Sequence, residues 1–379
     1  MILINKPWID DEEKREVLDV LNENTLTSAS LDGGKRVRDF ESLLGNYLNV
    51  KHVIAINSGT AALYSALLAV GVRQSEEILL PSFTFVATAN AVIAAGAKPV
   101  FVDINRESYT ISISDLKSKI TKKSRAIIPV HLYGQPADMD EIMDIANAYS
   151  LNVIEDACQS LGSTYKNRQT GTLGIMGCFS LYASKVVTSG EGGAIATNDD
   201  NLATTLKMVR NHGMVEGYDT RILGLNLRLP ELNAAIAKVQ MKKLPKMLYM
   251  RRRNAELLNT LLLPIINDKR ANISVKLPRE LKGEKKFNWY LYTAAFERQR
   301  DKIKKRLVSN KIGATVYYNP PVHKTPYYEK IMAKMSSESS LDNTEWASQR
   351  VLSLPVHPSV TDDDIEQIAY SIKNALYDI

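Results

Sequence analysis

Between about residue 50 and residue 200 the sequence alternates short, continuously apolar runs with helix-patterned stretches, and this alternation restricts the fold more than any other feature. The runs are Val53–Asn57, Ile78–Leu80, Pro99–Asp103, Ala126–His131, Val153–Asp156, Cys178–Tyr182 and Ala194–Thr197. Most are β-branched and apolar at successive positions, which suits strands covered on both faces. Between them, Thr60–Val70 ends at Gly71 and Ala87–Ala95 ends at Gly96, the kind of residue that closes a helix. Met139–Tyr149 follows Asp138 and has Glu141 three residues on, the pattern of a capping box. Strand and helix in repeated order predict an α/β domain with a doubly wound, mostly parallel sheet.

The texture changes after about residue 240, dividing the chain into a large domain over 1–243 and a smaller C-terminal α+β domain over 244–379. Pro245 is expected to interrupt a basic stretch, with a charged helix through Arg251–Leu262 after it. Isolated strand structure at Trp289–Phe296, a basic helix over Asp301–Ser309 and a Pro-rich turn over Asn319–Pro326 follow. Ile365–Leu376 closes the chain, with apolar residues at 365, 368, 369, 372 and 376 on one helix face. Lys334–Asn343, with its serines, reads as a mobile loop.

Composition excludes some classes of function. Apolar stretches such as Ala87–Ala97 are broken by Asn90 and Gly96 and fall short of the roughly 20 residues that cross a membrane. The start, Met1–Trp8, lacks the basic and apolar segments of a secretory signal, and two cysteines, Cys158 and Cys178, make no disulfide framework. These features predict a soluble cytoplasmic protein. Net charge is +6, with clusters at Lys122-Lys123, Lys242-Lys243, Arg251–Arg253, Lys285-Lys286 and Lys304–Arg306. Nucleic-acid binding is one reading; solvated helix faces, with acids interspersed as in Asp11–Glu16, are the plainer one. A third is that a few of these cations meet a phosphorylated small substrate. No metal-ligand pattern is expected.

Chemistry concentrates in two stretches, Ile154-Glu-Asp-Ala-Cys-Gln159 and Phe179–Gly193. Asp156 ends an apolar strand, and ligands of open parallel sheets bind outside the carboxyl ends of strands. Lys185 follows in a turn rich in Ser and Gly, flanked by Phe179 and Tyr182. A lysine able to form a Schiff base, with a carboxylate to pair with a pyridinium nitrogen, is what a pyridoxal phosphate site requires. Asn57-Ser-Gly-Thr-Ala-Ala62 follows a strand and opens a helix, so Ser58, Gly59 and Thr60 can offer donors to a phosphate. Gln159 is placed to touch the cofactor ring or its phenolic oxygen, Ser180 to donate to the phosphate, and Phe85 or Phe83 to stack on a flat ring. Each residue taken alone also has an ordinary reading: Ser58 or Thr60 as an N-cap, Asp156 as a turn cap, Lys185 as a surface lysine, the phenylalanines as core.

Taken in order, these stretches resemble the DegT-type sugar aminotransferase family, within the fold-type-I pyridoxal phosphate superfamily. The matching segments are Asn57–Leu63, Pro81–Phe85, Val130–Gly134, Ile154–Gln159, Phe179–Lys185, Gly190–Gly193, Arg210–Gly213, Gly224–Leu229 and Ser353–Pro355, spanning nearly the whole chain. The resemblance implies that Lys185 holds the cofactor and then shuttles the proton, while Asp156 pairs with the ring nitrogen. Gln159 would contact the ring, Phe85 would stack on it, and Gly59, Thr60 and Ser180 would bind the phosphate. It also implies a homodimer in which Asn226, or failing it Arg228, completes the phosphate site of the other subunit. The implied reaction moves an amino group, with L-glutamate as the expected donor, onto a nucleotide-linked keto sugar.

The chain departs from the family pattern in two places. Ser75-Glu-Glu77 replaces the usual Gly-Asp-Glu, and the Thr25–Val37 loop, which often lines the sugar pocket, has an unusual sequence. A branch of the family carries histidine in place of the lysine and dehydrates its substrate; lysine at 185 favours transamination. The alternatives are a keto-cyclitol or other keto sugar without a nucleotide, and a cofactor-binding regulator associated with nucleic acid. Tyr317, Tyr318 and His323 are the small-domain residues nearest to a sugar-contacting assignment, with His323 read first as a core or loop histidine.

Overall fold

The computed structural model describes residues 1–271, 273–280, 284–334 and 340–377. Its central sheet has seven strands: β1 His52–Ile56, β2 Glu77–Pro81, β3 Lys98–Val102, β4 Ser124–Ile127 and β5 Asn152–Asp156 come first. After a short hairpin of β6 Thr164–Tyr165 and β7 Arg168–Gln169, the sheet is completed by β8 Met176–Ser180 and β9 Gly193–Thr197. The spatial order is β1-β9-β8-β5-β4-β2-β3. Every pairing among β3, β2, β4, β5 and β8 is parallel, and β9 runs antiparallel to both its neighbours. The expected mostly parallel α/β sheet is present.

Its strands are apolar at successive positions because both faces are covered. Val53 and Ala55 of β1 join one core cluster while Ile54 and Ile56 join another. On β5, Val153 and Ile154 divide in the same way. One predicted strand is shorter than expected: β4 stops at Ile127, because Pro129 has no N–H for the ladder and only Val130 bridges on to Asp156.

The helices are α1 Asp11–Asn22, α2 Lys35–Leu48, α3 Gly59–Ala69, α4 Val86–Ala94, α5 Ile113–Ser118, α6 Met139–Tyr149, α7 Asp200–Arg210 and α8 Glu231–Ile266. Beyond them lie α9 Arg300–Ser309, α10 Pro326–Lys334, α11 Asp342–Arg350 and α12 Asp362–Tyr377. Gly71 and Gly96, at φ +69° and +81°, follow α3 and α4 as expected. The capping box at α6 does not form: Asp138 makes no side-chain cap and instead pairs with Lys285.

The helix expected to follow Pro245 through Arg251–Leu262 begins well before that proline: α8 runs unbroken for 36 residues through Pro245 and Pro264. The backbone bond that each proline removes is offset by packing along the helix, which lies against α1 and α2 and then against α12. One helix therefore crosses residue 243. The strand expected at Trp289–Phe296 narrows to β12 Tyr292–Phe296, since Trp289 takes a left-handed φ of +54°. It is not isolated, for β12 lies between β10 Val275–Lys276 and β13 Val351–Leu354, all antiparallel. A further short strand, β11 Lys285–Lys286, pairs with β6. Of the predicted 334–343 loop, 335–339 lie outside the described residues. Among the described residues, no helix is long and apolar enough to cross a membrane.

Several of the basic clusters are engaged within the chain. Lys243 pairs with Asp10 and Glu13, Arg252 with Glu280, and Arg253 with Asp362. Arg251 is buried.

Candidate active site

The topology brings the chemical motifs to one edge. The parallel strands β2, β5 and β8, together with β1, end on the same side, and β9, being antiparallel, begins there. A cavity of about 620 Å³ lies at this edge. Ser58, Gly59 and Thr60 border it after β1, Phe85 after β2, Asp156 and Gln159 at the end of β5, and Ser180 at the end of β8. Lys185 reaches the same cavity from the β8–β9 connection. Eight of the ten expected site residues thus converge.

Successive residues of a strand face opposite ways, and at the end of β5 that rule separates two carboxylates. Asp156, 5% exposed, faces the cavity. Its Oδ2 accepts the Thr88 hydroxyl at 2.8 Å and its Oδ1 the Cys158 N–H at 3.1 Å. Glu155 turns the other way and is fully buried. Its Oε1 accepts the Leu173 and Gly174 N–H groups at 2.6 and 2.7 Å. Its Oε2 accepts from Gly171 N at 2.7 Å and from His131 Nε2 at 2.8 Å. His131 Nδ1 accepts the Ala137 N–H at 3.0 Å, which leaves the proton on Nε2, facing Glu155. Glu155 thereby pins the turn beyond β7 and the chain after β4 beneath Asp156.

Gln159 is held as firmly. Its Oε1 accepts the Tyr133 N–H at 2.9 Å, so its amide N–H₂ is the end turned toward Tyr318, whose hydroxyl it meets at 3.1 Å. Burial pushes the Tyr318 phenol well above its ordinary pKa, so it remains an O–H group. Burial likewise pushes the Cys158 thiol up, which leaves that sulfur a poor nucleophile.

The phosphate-type cradle depends on a close approach. A Cβ at Gly59 would lie 2.8 Å from Ser180 Cβ and 2.9 Å from Cys158 Sγ, so only glycine lets α3 begin so near the end of β8. Ser58 is the N-cap of α3, its Oγ accepting the Ala61 N–H at 3.1 Å, and it also borders the cavity. Both sequence readings of Ser58 therefore apply. The first N–H groups of α3 point out of the helix start, no acid stands in its first turn, and the Thr60 and Ser180 side chains flank them.

These residues fit pyridoxal phosphate. The buried Asp156 carboxylate has two neutral donors and an open side toward the cavity, a setting that calls for a cationic partner such as a protonated ring nitrogen. Phe85 exposes 55% of its surface at the cavity, a flat apolar face for a ring, whereas Phe83 is core. A helix start with adjacent hydroxyls suits a phosphate, and the Lys185 amine borders the same cavity.

Asn226 and Arg228 do not line the cavity of their own chain. Asn226 is exposed and bridges Asn211, and Arg228 donates to the Asn211 side chain at 2.6 Å. No residue of the 25–37 loop lines the cavity either. That loop is tied down by Arg210 and Asn211, which donate to the carbonyls of Leu31 and Ala29 at 2.6 and 3.0 Å. Tyr317 and Tyr318 do border the cavity. His323 does not: it bonds Ser82 at 2.6 Å and Glu345 at 3.3 Å. Sequence reasoning passed over Thr88, Ser184, Glu191 and Tyr290. Thr88 had a signal, standing one helical turn beyond Phe85; Tyr290 had none.

A sequence model of the DegT/DnrJ/EryC1/StrS aminotransferase family matches residues 7–373. GDP-perosamine synthase of Vibrio cholerae is 32% identical over 381 residues, covering 99% of each chain. UDP-N-acetyl-3-dehydro-alpha-D-glucosamine 3-aminotransferase of Acidithiobacillus ferrooxidans is 35% identical, over 93% of this chain and 92% of that one. The solved structure of S. venezuelae DesV, in complex with a ketimine intermediate, superposes with a TM-score of 0.89 at 30% identity, covering 98% of each chain. The chain belongs to the DegT/DnrJ/EryC1/StrS family and is a pyridoxal-phosphate-dependent aminotransferase.

Proposed function

We propose that this enzyme transfers an amino group from glutamate to the carbonyl carbon of a keto sugar linked to a nucleoside diphosphate, and that it does so in the cytoplasm as a homodimer. The observation that carries the reading is the convergence of Lys185, Asp156 and the Gly59–Ser180 cradle on one cavity in a chain with near-full-length relatives among those named for GDP- and UDP-linked sugars. Free cysteines at 158 and 178 suit a reducing compartment. Asn226, exposed on the 211–228 segment, is proposed to reach the phosphate site of the other subunit, with Arg228 as the second choice. The 1–243 and 244–379 parts are proposed as the two domains, joined through α8.

Bound in the cavity, pyridoxal phosphate supplies an electron sink for the pair left when a C–H bond breaks. The chain's own residues do the rest. Asp156 would hold a proton at the ring nitrogen, with Thr88 and the Cys158 N–H fixing its carboxylate toward the cavity. Ser58, Gly59, Thr60 and Ser180 would anchor the phosphate, Phe85 would offer the ring a flat apolar face, and the Gln159 amide N–H₂ would be the donor for the phenolic oxygen. Lys185, its amine freed by the incoming substrate amine, would carry the proton between the reacting substrate carbon and the cofactor carbon. Water would supply the oxygen with which the donor leaves as its 2-oxo acid, and the nitrogen left behind would pass to the sugar carbon, whose carbonyl oxygen departs as water. Tyr317 and Tyr318 are proposed to contact the sugar.

The test is turnover with glutamate against a panel of GDP- and UDP-linked keto sugars, free keto sugars and keto-inositols. The reading expects sustained, multiple-turnover 2-oxoglutarate release only with a nucleotide-linked acceptor. Preferred use of a keto-inositol would overturn it in favour of a cyclitol enzyme.

A further inference from the structure

Tyr290 belongs to none of the motifs that mark the site, yet Lys185 rests on it. The Lys185 Nζ lies 4.8 Å from the centroid of the Tyr290 ring, which is buried at the cavity wall. Three contacts fix that ring. Its hydroxyl meets the Ser184 hydroxyl at 3.1 Å, its N–H donates to Asn288 Oδ1 at 2.8 Å, and its carbonyl accepts from the buried Arg251 at 3.1 Å. Asn288 in turn donates to the carbonyls of Gln159 and Leu161 at 2.9 and 3.0 Å. The ring therefore moves with the segment that carries Gln159, although it comes from the C-terminal part of the chain.

A cation within about 6 Å of an aromatic face is drawn to its negative quadrupole, and more strongly where water is partly excluded. Lys185 is only partly exposed. The other groups around it are Asp156, Cys158, Tyr182, Glu191, Tyr317 and Tyr318. Burial keeps Cys158, Tyr317 and Tyr318 in their neutral forms, Asp156 is engaged by Thr88, and Tyr182 and Glu191 stand at the exposed rim. The fixed aromatic surface beneath Nζ is Tyr290.

We propose that Tyr290 is a positioning residue for Lys185: its ring face receives the ammonium form of the lysine whenever the amine is free of the cofactor, and keeps it aimed into the cavity. The inference rests on the reading of Lys185 as the cofactor lysine and adds the residue that holds it.

The experiment uses cofactor-free protein. Tyr290 is replaced by phenylalanine, 4-fluorophenylalanine and 3,4,5-trifluorophenylalanine, rings of nearly one shape whose faces are progressively less negative, and by leucine. Acylation of Lys185 at about pH 8, where lysine side chains are mostly protonated, is followed by mass spectrometry against exposed Lys302 as internal reference. Only the neutral amine reacts, so losing the ring's hold on the ammonium form should raise the Lys185 rate. The expected result is a stepwise rise, roughly two- to tenfold for the trifluoro ring, with phenylalanine close to wild type. A rate that does not change with fluorination overturns the proposal, as does a Tyr290→Leu rate equal to that of Tyr290→Phe. Should the leucine variant fail to fold, the near-isosteric series carries the test alone. A flat series leaves the cofactor role of Lys185 standing, whereas failure of the cofactor to attach at Lys185 removes that role without altering the series.

Discussion

Replacing Glu155 with glutamine changes one oxygen of a fully buried side chain into an N–H₂ group, and the surroundings of Glu155 make that small change costly. Its two oxygens accept four N–H groups, two each, at 2.6 to 2.8 Å. An amide in either orientation sets its N–H₂ against two of those donors. His131 cannot adapt by exchanging its ring proton, because Nδ1 is occupied by the Ala137 N–H. Hydrogen bonds to a charged acceptor contribute about 1.5–3 kcal/mol each, so losing two predicts a loss of roughly 3–6 kcal/mol, a large part of the 5–15 kcal/mol that typically holds a protein folded. Urea unfolding of cofactor-free wild type and Glu155→Gln, followed by circular dichroism and tryptophan fluorescence, measures the difference. The same change at exposed Glu366 serves as control and should stay within about 0.5 kcal/mol. A loss below about 1 kcal/mol at Glu155 would refute the reasoning that this carboxylate anchors the end of β5.

Other outcomes follow from the same geometry. Gly59→Ala places a methyl group 2.8 Å from Ser180 Cβ and 2.9 Å from Cys158 Sγ, so the cradle must open; equilibrium dialysis should show cofactor affinity falling by at least about tenfold. Thr88→Val keeps the shape but removes the 2.8 Å donor to Asp156. It should weaken cofactor binding by about 1.5–3 kcal/mol while Thr88→Ser restores it, and equal affinity in both variants would contradict the assigned role. Burial, helped by repulsion from Arg251, lowers the His357 pKa from 6.5 to about 4. The unfolded chain therefore takes up the proton first, and the contribution of His357 to stability, full above about pH 6.5, is lost as pH falls toward 4. The fall amounts to at most about 3 kcal/mol, and His357→Gln should flatten that part of the stability–pH curve.

Much of the fold was legible because the seven strands of the central sheet are buried on both faces and therefore read as unbroken apolar runs. What failed to read was tertiary. Pro245 sits inside α8 because packing on both halves of that helix outweighs one lost backbone bond, and no local pattern announces such packing. Asp138 has the residue type and spacing of a cap, but Lys285, far along the chain, takes its carboxylate. The site divides along the same line. Residues on strand ends (Asp156, Ser180) or at the helix start that follows one (Gly59) are located by topology, so motif order sufficed for them. Tyr290 reaches Lys185 and its neighbour Ser184 through a contact between segments about a hundred residues apart, which neither periodicity nor spacing encodes. Asn226 and Arg228 do not line the cavity of their own chain, and the role proposed for them requires a second subunit.

Lys185 is the residue on which the proposed chemistry depends. Purified enzyme loaded with pyridoxal phosphate should show a visible absorbance band that borohydride abolishes, and peptide mapping of the reduced protein should place the cofactor-derived mass on Lys185. In Lys185→Ala the band and the label should vanish together with turnover, while the circular dichroism spectrum stays that of wild type. A label on any other lysine, or full turnover in Lys185→Ala, would contradict the account at its centre.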